Sequence, residues 1–540
     1  MRGRQVIRTQ EIELGSRHAL GDSMISSKTQ DRIVRYCTWL VVLLLSAGLY
    51  SYLLRAHAAV GSDLELDYGE GTVYWQVESL PHLATAVHPL NTYPYILFNY
   101  TPVYHCATWL VGQFTPTMLG AGRLVSVLSM LGICLLAGVI VWQATTGWAR
   151  LPCSLMAGLL LLHLPNTDWS LLMRVDIIGI FFLYAGLCLF LMARRFPALT
   201  YAAFGCFVLA IYSKQTLIAA PAACLACLFI ENFKRGLKVL IAFAFTGFAI
   251  LAGLAWLTHG EIVRHFFKYN VSPFAWGRGM WLAYSLAHDS VLIIVMALGA
   301  VFGVILLLNS SRRRTGSLVG SLRKMMVEDN AQRTALVFSV YLGISCVTSL
   351  SIAKVGANVN YLLEPLFATC VLAALFIAAR LSAERNSRFA LAGPLIVLTA
   401  AAVVAVTTAG LTPRSAGDLA FEEQHEAAHT QMLLWLSGMP GPVYSEEMTL
   451  LLEAQKEVPA EPASVTFLSA MHLWNEAPLV QRFDDQRFSA VIVNTNINDK
   501  EHFSPGVRKA ILANYELNKQ VGPYTIYLPV KAESNATPAK

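Results

Sequence analysis

The sequence predicts a polytopic α-helical membrane protein of about eleven spans, N-terminus inside and C-terminus outside, ending in a small extracytoplasmic α/β domain. Three observations carry that reading. The 540 residues are 55% hydrophobic and only 14% charged, with mean hydropathy +0.52, whereas soluble domains run near a quarter charged. Basic residues recur in alternate connecting segments, the pattern that orients a chain in a bilayer. After residue 410 acidic residues return and apolar runs shorten, so the chain leaves the membrane there. The formal charge of +6 is spread over both sides and gives no sign of a nucleic-acid partner.

Apolar windows mark spans near 33–54, 121–146, 151–164, 175–193, 197–212, 216–230, 237–258, 289–309, 334–352, 360–379 and 390–410. Residues 1–32 hold Arg2, Arg4, Arg8, Arg17, Lys28 and Arg32 without the apolar stretch of a signal peptide. They read as a flexible basic cytoplasmic tail, with the first span as an uncleaved anchor. Arg150, Arg194-Arg195, Lys234-Arg235-Lys238, Arg312-Arg313-Arg314 and Arg380 mark further cytoplasmic turns. Alternation then puts 55–120, 165–174, the turn at Lys214, 259–288, 353–359 and the domain 411–540 outside. The transmembrane module is thus 33–410. Its large first outer loop, 55–120, carries Asp63, Glu65, Asp67, Glu70 and Glu78 against a single Arg55.

Within that loop, 71–86 and 101–111 read as helices lying along the membrane surface. Val73, Val77, Leu80 and Leu83 recur at helical spacing, and Trp75, Tyr93, Tyr95, Tyr100, Tyr104 and Trp109 suit an interface. In the outer domain, 442–445, 465–468, 490–494 and 524–528 read as strands, with helices at 432–436, 448–455 and 507–515. All ten cysteines lie at or before Cys370, so the outer domain has no disulfide framework. Cys224-Leu-Ala-Cys227 reads as a pair of small packing residues.

Ionisable residues within or at the edge of spans are costly and mark function by default. They gather on the outer side: Asp67-Tyr68-Gly69-Glu70-Gly71 past the first span, Arg123 opening a span, Arg174-Val-Asp176 opening another, and Lys214-Gln215-Thr216 at a hairpin. Lys354, Asn360 and Glu364 follow, the last two on one helical face. The loop 259–288 adds Arg264, His265, Lys268, Tyr269 and Arg278. Two carboxylates facing a group of cations describe a site that deprotonates a hydroxyl while holding a phosphate. One carboxylate is the base, and Arg and Lys stabilise charge on the leaving group. The blander readings make Arg123 and Arg174 snorkelling anchors, Asp176 a neutralising partner of Arg174, and Glu70 a turn residue between glycines.

The order Asp67-Tyr-Gly-Glu-Gly, Tyr100-Thr-Pro-Val-Tyr104, Gly122-Arg123, Arg174-Val-Asp176, Lys214-Gln-Thr and Asn360-Tyr361 resembles a known family. It is similar to the C-type superfamily of integral-membrane glycosyltransferases, in the branch of bacterial aminoarabinose transferases and protein O-mannosyltransferases. The resemblance covers 33–410 and implies inverting transfer of a hexose or pentose from a polyprenyl-phosphate-linked donor. The acceptor would be a cell-envelope lipid or glycan on the periplasmic face of the bacterial inner membrane. An essential acid is implied in the first outer loop, where Asp67 and Glu70 match. Arg123, Arg174, Asp176, Lys214, Lys354, Asn360 and Glu364 would bind substrate and donor phosphate. Related enzymes place adjacent acids where this chain spaces them by three, so the choice of base stays open. No cofactor is required, and a divalent metal between carboxylate and phosphate stays open too.

Two other classes compete. His425-Glu426-Ala-Ala-His429 matches the zinc-protease pattern, with Glu446 or Glu447 as a third ligand. Against it, 418–437 reads as an amphipathic helix leaving the membrane, and 441–444 as a strand. A transporter or lipid flippase also uses many spans with intramembrane charges, but it places them near the midplane in repeated halves. Here they crowd the outer edge and no repeat is visible.

Overall fold

No proline precedes Pro81, and the first helix, Arg2–Gly61, runs unbroken from the basic tail through the first apolar window. The tail expected to be flexible is helical, a conformation that the absence of proline permits. The computed structural model describes residues 2–288, 318–382, 398–399, 402 and 416–530. Among these, five helices are long and apolar enough to cross a membrane: Arg32–Gly61, Met118–Ala144, Phe233–Leu257, Asn330–Ala353 and Val359–Leu381. At its ordinary rise, Met118–Ala144 reaches about 40 Å, longer than a hydrocarbon core of about 30 Å. Four shorter apolar helices, Arg150–Leu161, Asp176–Met192, Leu199–Ile211 and Ala219–Glu231, occupy the windows expected at 151–164, 175–193, 197–212 and 216–230. The span expected at 289–309, nearly all of that at 390–410, and the tail 532–540 lie outside the described residues.

Local signals start these helices where they start. Thr117 accepts the Gly120 amide at 3.1 Å and caps Met118–Ala144, and Asn232 accepts the Arg235 amide at 3.0 Å and caps Phe233–Leu257. Asp176–Met192 packs on Leu199–Ile211 and on Met118–Ala144, which in turn packs on Arg150–Leu161. Val359–Leu381 is mostly buried at the centre of the bundle, whereas Phe233–Leu257 is almost wholly outward-facing. Its exposed Phe245, Phe248 and Trp256 form an apolar face that suits lipid.

In the segment 55–120, helices Gly69–Glu78, Leu83–Ala86 and Val103–Gly112 fill the two expected helical stretches. Val73 and Val77 are buried against Tyr104, Leu119, Met173 and Val175, so this face packs on the protein itself. Leu110 and Phe114 remain exposed.

Helix Ala416–Ser437 leads into a four-stranded sheet: β1 Val443–Ser445, β2 Ala490–Val493, β3 Tyr515–Val521 and β4 Tyr524–Pro529, in the order β1-β2-β4-β3. β1 and β2 are parallel; β4 runs antiparallel to both neighbours. The strand expected at 465–468 is instead inside helix Pro462–Ala470. Glu461 caps that helix through the Ser464 amide at 2.8 Å, and Pro462 sits in its first turn. Strand β3 was not anticipated because it is polar, with its central residues exposed at the sheet edge.

Candidate active site

Helix ends from five parts of the chain meet at one end of the bundle. Past the first helix, the Asp67 carboxylate Oδ2 accepts the Gly69 amide at 3.1 Å and its carbonyl accepts the Glu70 amide at 2.8 Å. This turn sets an anion at the N-terminus of Gly69–Glu78, where the helix dipole favours it.

The two acids then part company. Glu70 is wholly buried in a bidentate pair with Arg123, Nε to Oε1 at 2.9 Å and Nη2 to Oε2 at 2.7 Å. Its oxygens also accept the amides of Leu66 at 2.8 Å and Met173 at 2.6 Å. The other Arg123 N–H groups donate to the carbonyls of Ala59, Ser62 and Leu64 at 2.8, 2.6 and 2.6 Å. Every guanidinium hydrogen and every carboxylate lone pair is thus occupied. Arg123 is a buried strut, not a snorkelling anchor, and Glu70 has no lone pair to offer an incoming hydroxyl.

Asp67 is different. Its side chain is 23% exposed, Oδ2 pairs with Arg174 Nη1 at 3.1 Å, and Oδ1 has no partner among the described residues. Arg174 can come this close because position 69 is glycine: a Cβ there would lie 1.3 Å from Nη1. The guanidinium carbon stands 5.1 Å from the Trp169 ring centroid, and the Trp169 indole donates to Asp176 Oδ2 at 3.0 Å. Asp176, first residue of its helix, takes Lys214 Nζ and Asn360 Nδ2, the latter at 2.9 Å, on Oδ1. Lys214 lies 4.5 Å from the Tyr361 ring centroid. Burial opposes the Arg174 charge, but Tyr100, Asp67, Asp176 and Glu70 outweigh it and raise its pKa, so the cation is permanent. Asp176 pairs directly with Lys214 and reaches Arg174 only at longer range, and Trp169 joins the two ion pairs.

The remaining expected residues lie farther from this chemistry. Lys354 sits where 353–355 pairs with 273–275, half-buried and without an ion pair among the described residues. Glu364 is buried one turn beyond Asn360 with Oε2 unpartnered, and it makes no ion pair with the cations among the described residues. In the loop 259–288, Arg264 pairs with Glu261 at 2.7 Å, His265 Nδ1 accepts the Phe98 amide at 3.0 Å, and Arg278 lies 3.7 Å from Glu501. Trp169 went unnoticed in the sequence, and Tyr361 entered only as part of the Asn360-Tyr361 motif; an aromatic a few residues from an intramembrane acid was the available signal.

The zinc-protease pattern does not assemble. His429 Nε2 lies 2.8 Å from Glu453 and Nδ1 3.1 Å from the Tyr524 hydroxyl. Glu446 accepts the Thr495 hydroxyl at 2.7 Å and the Asn494 amide at 2.8 Å. Among the described residues, no three His, Cys, Asp or Glu side chains converge as a metal site.

The helical bundle, the segment 55–120 laid along its end and the small α/β domain share their fold with solved membrane-protein structures. No family model matches the chain, and no curated protein matches it. Among solved structures, ArnT from Cupriavidus metallidurans bound to undecaprenyl phosphate is similar at 14% identity over 92% of this chain and 99% of that one, TM-score 0.55. Its apo state is similar at 13% identity over 89% and 98%, also with TM-score 0.55. The archaeal oligosaccharyltransferase AglB from Archaeoglobus fulgidus, in complex with an inhibitory peptide and a dolichol-phosphate, shares 11% identity over 93% and 75%, TM-score 0.50. At such identities the likeness establishes the fold, which the sequence resemblance had implied.

Proposed function

We propose that this chain transfers a sugar from a polyprenyl-phosphate donor to an acceptor hydroxyl at the periplasmic face of a bacterial inner membrane. One observation carries the reading: a carboxylate with a free oxygen, Asp67, held 3.1 Å from the Arg174 guanidinium at the membrane-domain end. The solved relatives in fold that hold undecaprenyl phosphate and dolichol-phosphate support the donor class.

Asp67 Oδ1 takes the acceptor proton as the acceptor oxygen attacks the anomeric carbon. The bond from that carbon to the phosphate oxygen breaks with its electrons, inverting the centre, and the phosphate leaves toward Arg174. The Lys214–Asp176–Asn360 group fixes Trp169, which backs Arg174. Glu70 and Arg123 are the frame beneath Asp67, not part of the proton transfer. About eleven spans with the domain 411–540 outside complete this topology.

The test uses purified protein in vesicles with undecaprenyl-phosphate-linked sugar extracted from the source envelope. Asp67→Asn should lower transfer by at least about 100-fold, the worth of a general base, while still binding undecaprenyl phosphate. Full transfer by Asp67→Asn defeats the assignment. A labelled lipid that changes leaflet without a glycosylated product favours a transporter.

A further inference from the structure

We infer that Tyr68 is a positioning residue through which the C-terminal domain holds Asp67 in place; this rests on the reading of Asp67 as the base. The two residues flanking Asp67 are anchored to different parts of the molecule. On one side, the Leu66 amide donates to Glu70 Oε2 at 2.8 Å, tying the loop to the buried Glu70–Arg123 pair. On the other, the Tyr68 hydroxyl donates to Glu461 Oε1 at 2.9 Å and accepts the Ala463 amide at 3.0 Å. Asp67 is slung between the membrane bundle and the outer domain.

The far anchor is itself rigid. Glu461 is buried and its other oxygen caps helix Pro462–Ala470 at the Ser464 amide. The Tyr68 ring stands 4.4 Å from the His502 ring, which lies 3.0 Å from Glu446 and 3.1 Å from Asp499. Contacts on either side lock the same stretch. The Thr449 hydroxyl donates to Glu65, and a Cβ on Gly71 would meet Met448 Cβ at 2.9 Å, so helix Met448–Glu453 lies directly on the start of Gly69–Glu78. Residues 65–71 are thus clamped from above by the domain and from below by the bundle. Any shift of the Asp67 backbone breaks one clamp.

A tyrosine that merely docks the domain makes the opposing case, and the chain supplies that control. Tyr93 donates to Glu457 at 3.1 Å, an interface bond that involves neither the Glu461 carboxylate nor residues 65–71.

The experiment compares Tyr68→Phe, Glu461→Gln, their double variant and Tyr93→Phe in the full chain, reconstituted in nanodiscs. Hydrogen–deuterium exchange of the 62–72 peptide should quicken about tenfold in Tyr68→Phe and Glu461→Gln, the scale of one hydrogen bond to a charged acceptor. The double variant should be no faster than Tyr68→Phe alone, since that change already removes the Glu461 bond. Tyr93→Phe should leave that peptide unchanged. In the transfer assay, Tyr68→Phe should lower kcat with the donor KM unmoved, as misplacement of a base requires. Unchanged exchange in Tyr68→Phe, additive single effects, or an equal response to Tyr93→Phe overturns the tether. If Asp67→Asn keeps full transfer, the functional reading falls, while the exchange data still decide whether Tyr68 holds the loop.

Discussion

Removing the Glu70 carboxylate separates frame from base. In Glu70→Ala, Arg123 keeps its three carbonyl contacts but loses its counter-charge in a site where both side chains are excluded from solvent. Breaking such a buried pair costs about 3–5 kcal/mol, because one charge stays uncompensated. The Leu66 and Met173 amides lose their acceptor as well. By contrast the Asp67–Arg174 pair is partly in solvent, at 23% and 12% exposure, and its loss costs about 1 kcal/mol. Glu70→Ala should therefore be far less stable than Asp67→Ala, and Glu70→Leu with Arg123→Met should recover part of the loss. Denaturation of a polytopic protein is irreversible, so the assay is the half-life of the monodisperse peak on size exclusion at one elevated temperature. A Glu70→Ala protein as long-lived as wild type yet inactive in transfer would make Glu70 the base and refute the frame.

Other outcomes follow from the same geometry. Gly69→Ala puts a methyl where Arg174 Nη1 now lies, so undecaprenyl phosphate binding should weaken about tenfold or more, read by titration, with the fold retained. Lys214→Met leaves Asp176 buried with only Trp169 and Asn360 and should destabilise by about 3 kcal/mol, with Asp176→Asn in the same chain restoring most of it by the half-life assay. Burial opposes the His429 charge, but the Glu453 hydrogen bond with Glu447, Glu453 and Asp63 raises its pKa. Its contribution is present below an unfolded pKa of about 6.5 and is lost as pH rises through the higher folded value. Thermal stability should fall across that interval, and His429→Gln should flatten the slope. Elemental analysis of the full chain should find no stoichiometric zinc; zinc that is lost in His425→Ala would favour a protease.

Much of the site was legible because intramembrane charges are expensive enough to stand out of an apolar sequence. Asp67, Arg174, Asp176 and Lys214, flagged on that ground, meet at one end of the bundle with Asn360. Their partners were not legible. Asp176 is two residues from Arg174 yet pairs with Lys214, because a helix N-terminus points its first side chain at a neighbouring hairpin rather than back along the chain. The strand expected at 465–468 failed for a related reason: four apolar residues suit either element, and the Glu461 cap with Pro462 decided for helix.

Hydropathy by itself determined that the chain is a bundle of apolar helices with an acidic segment after the first of them and a polar C-terminal domain, since transfer free energy acts on each window independently. Only the tertiary structure decided between the two acids of that segment. Glu70 and Asp67 are three residues apart with the same chemistry, and nothing local distinguishes them. The difference arises because Arg123, Met173 and Leu66 close over one carboxylate, while Arg174, reaching past Gly69, leaves the other an oxygen free.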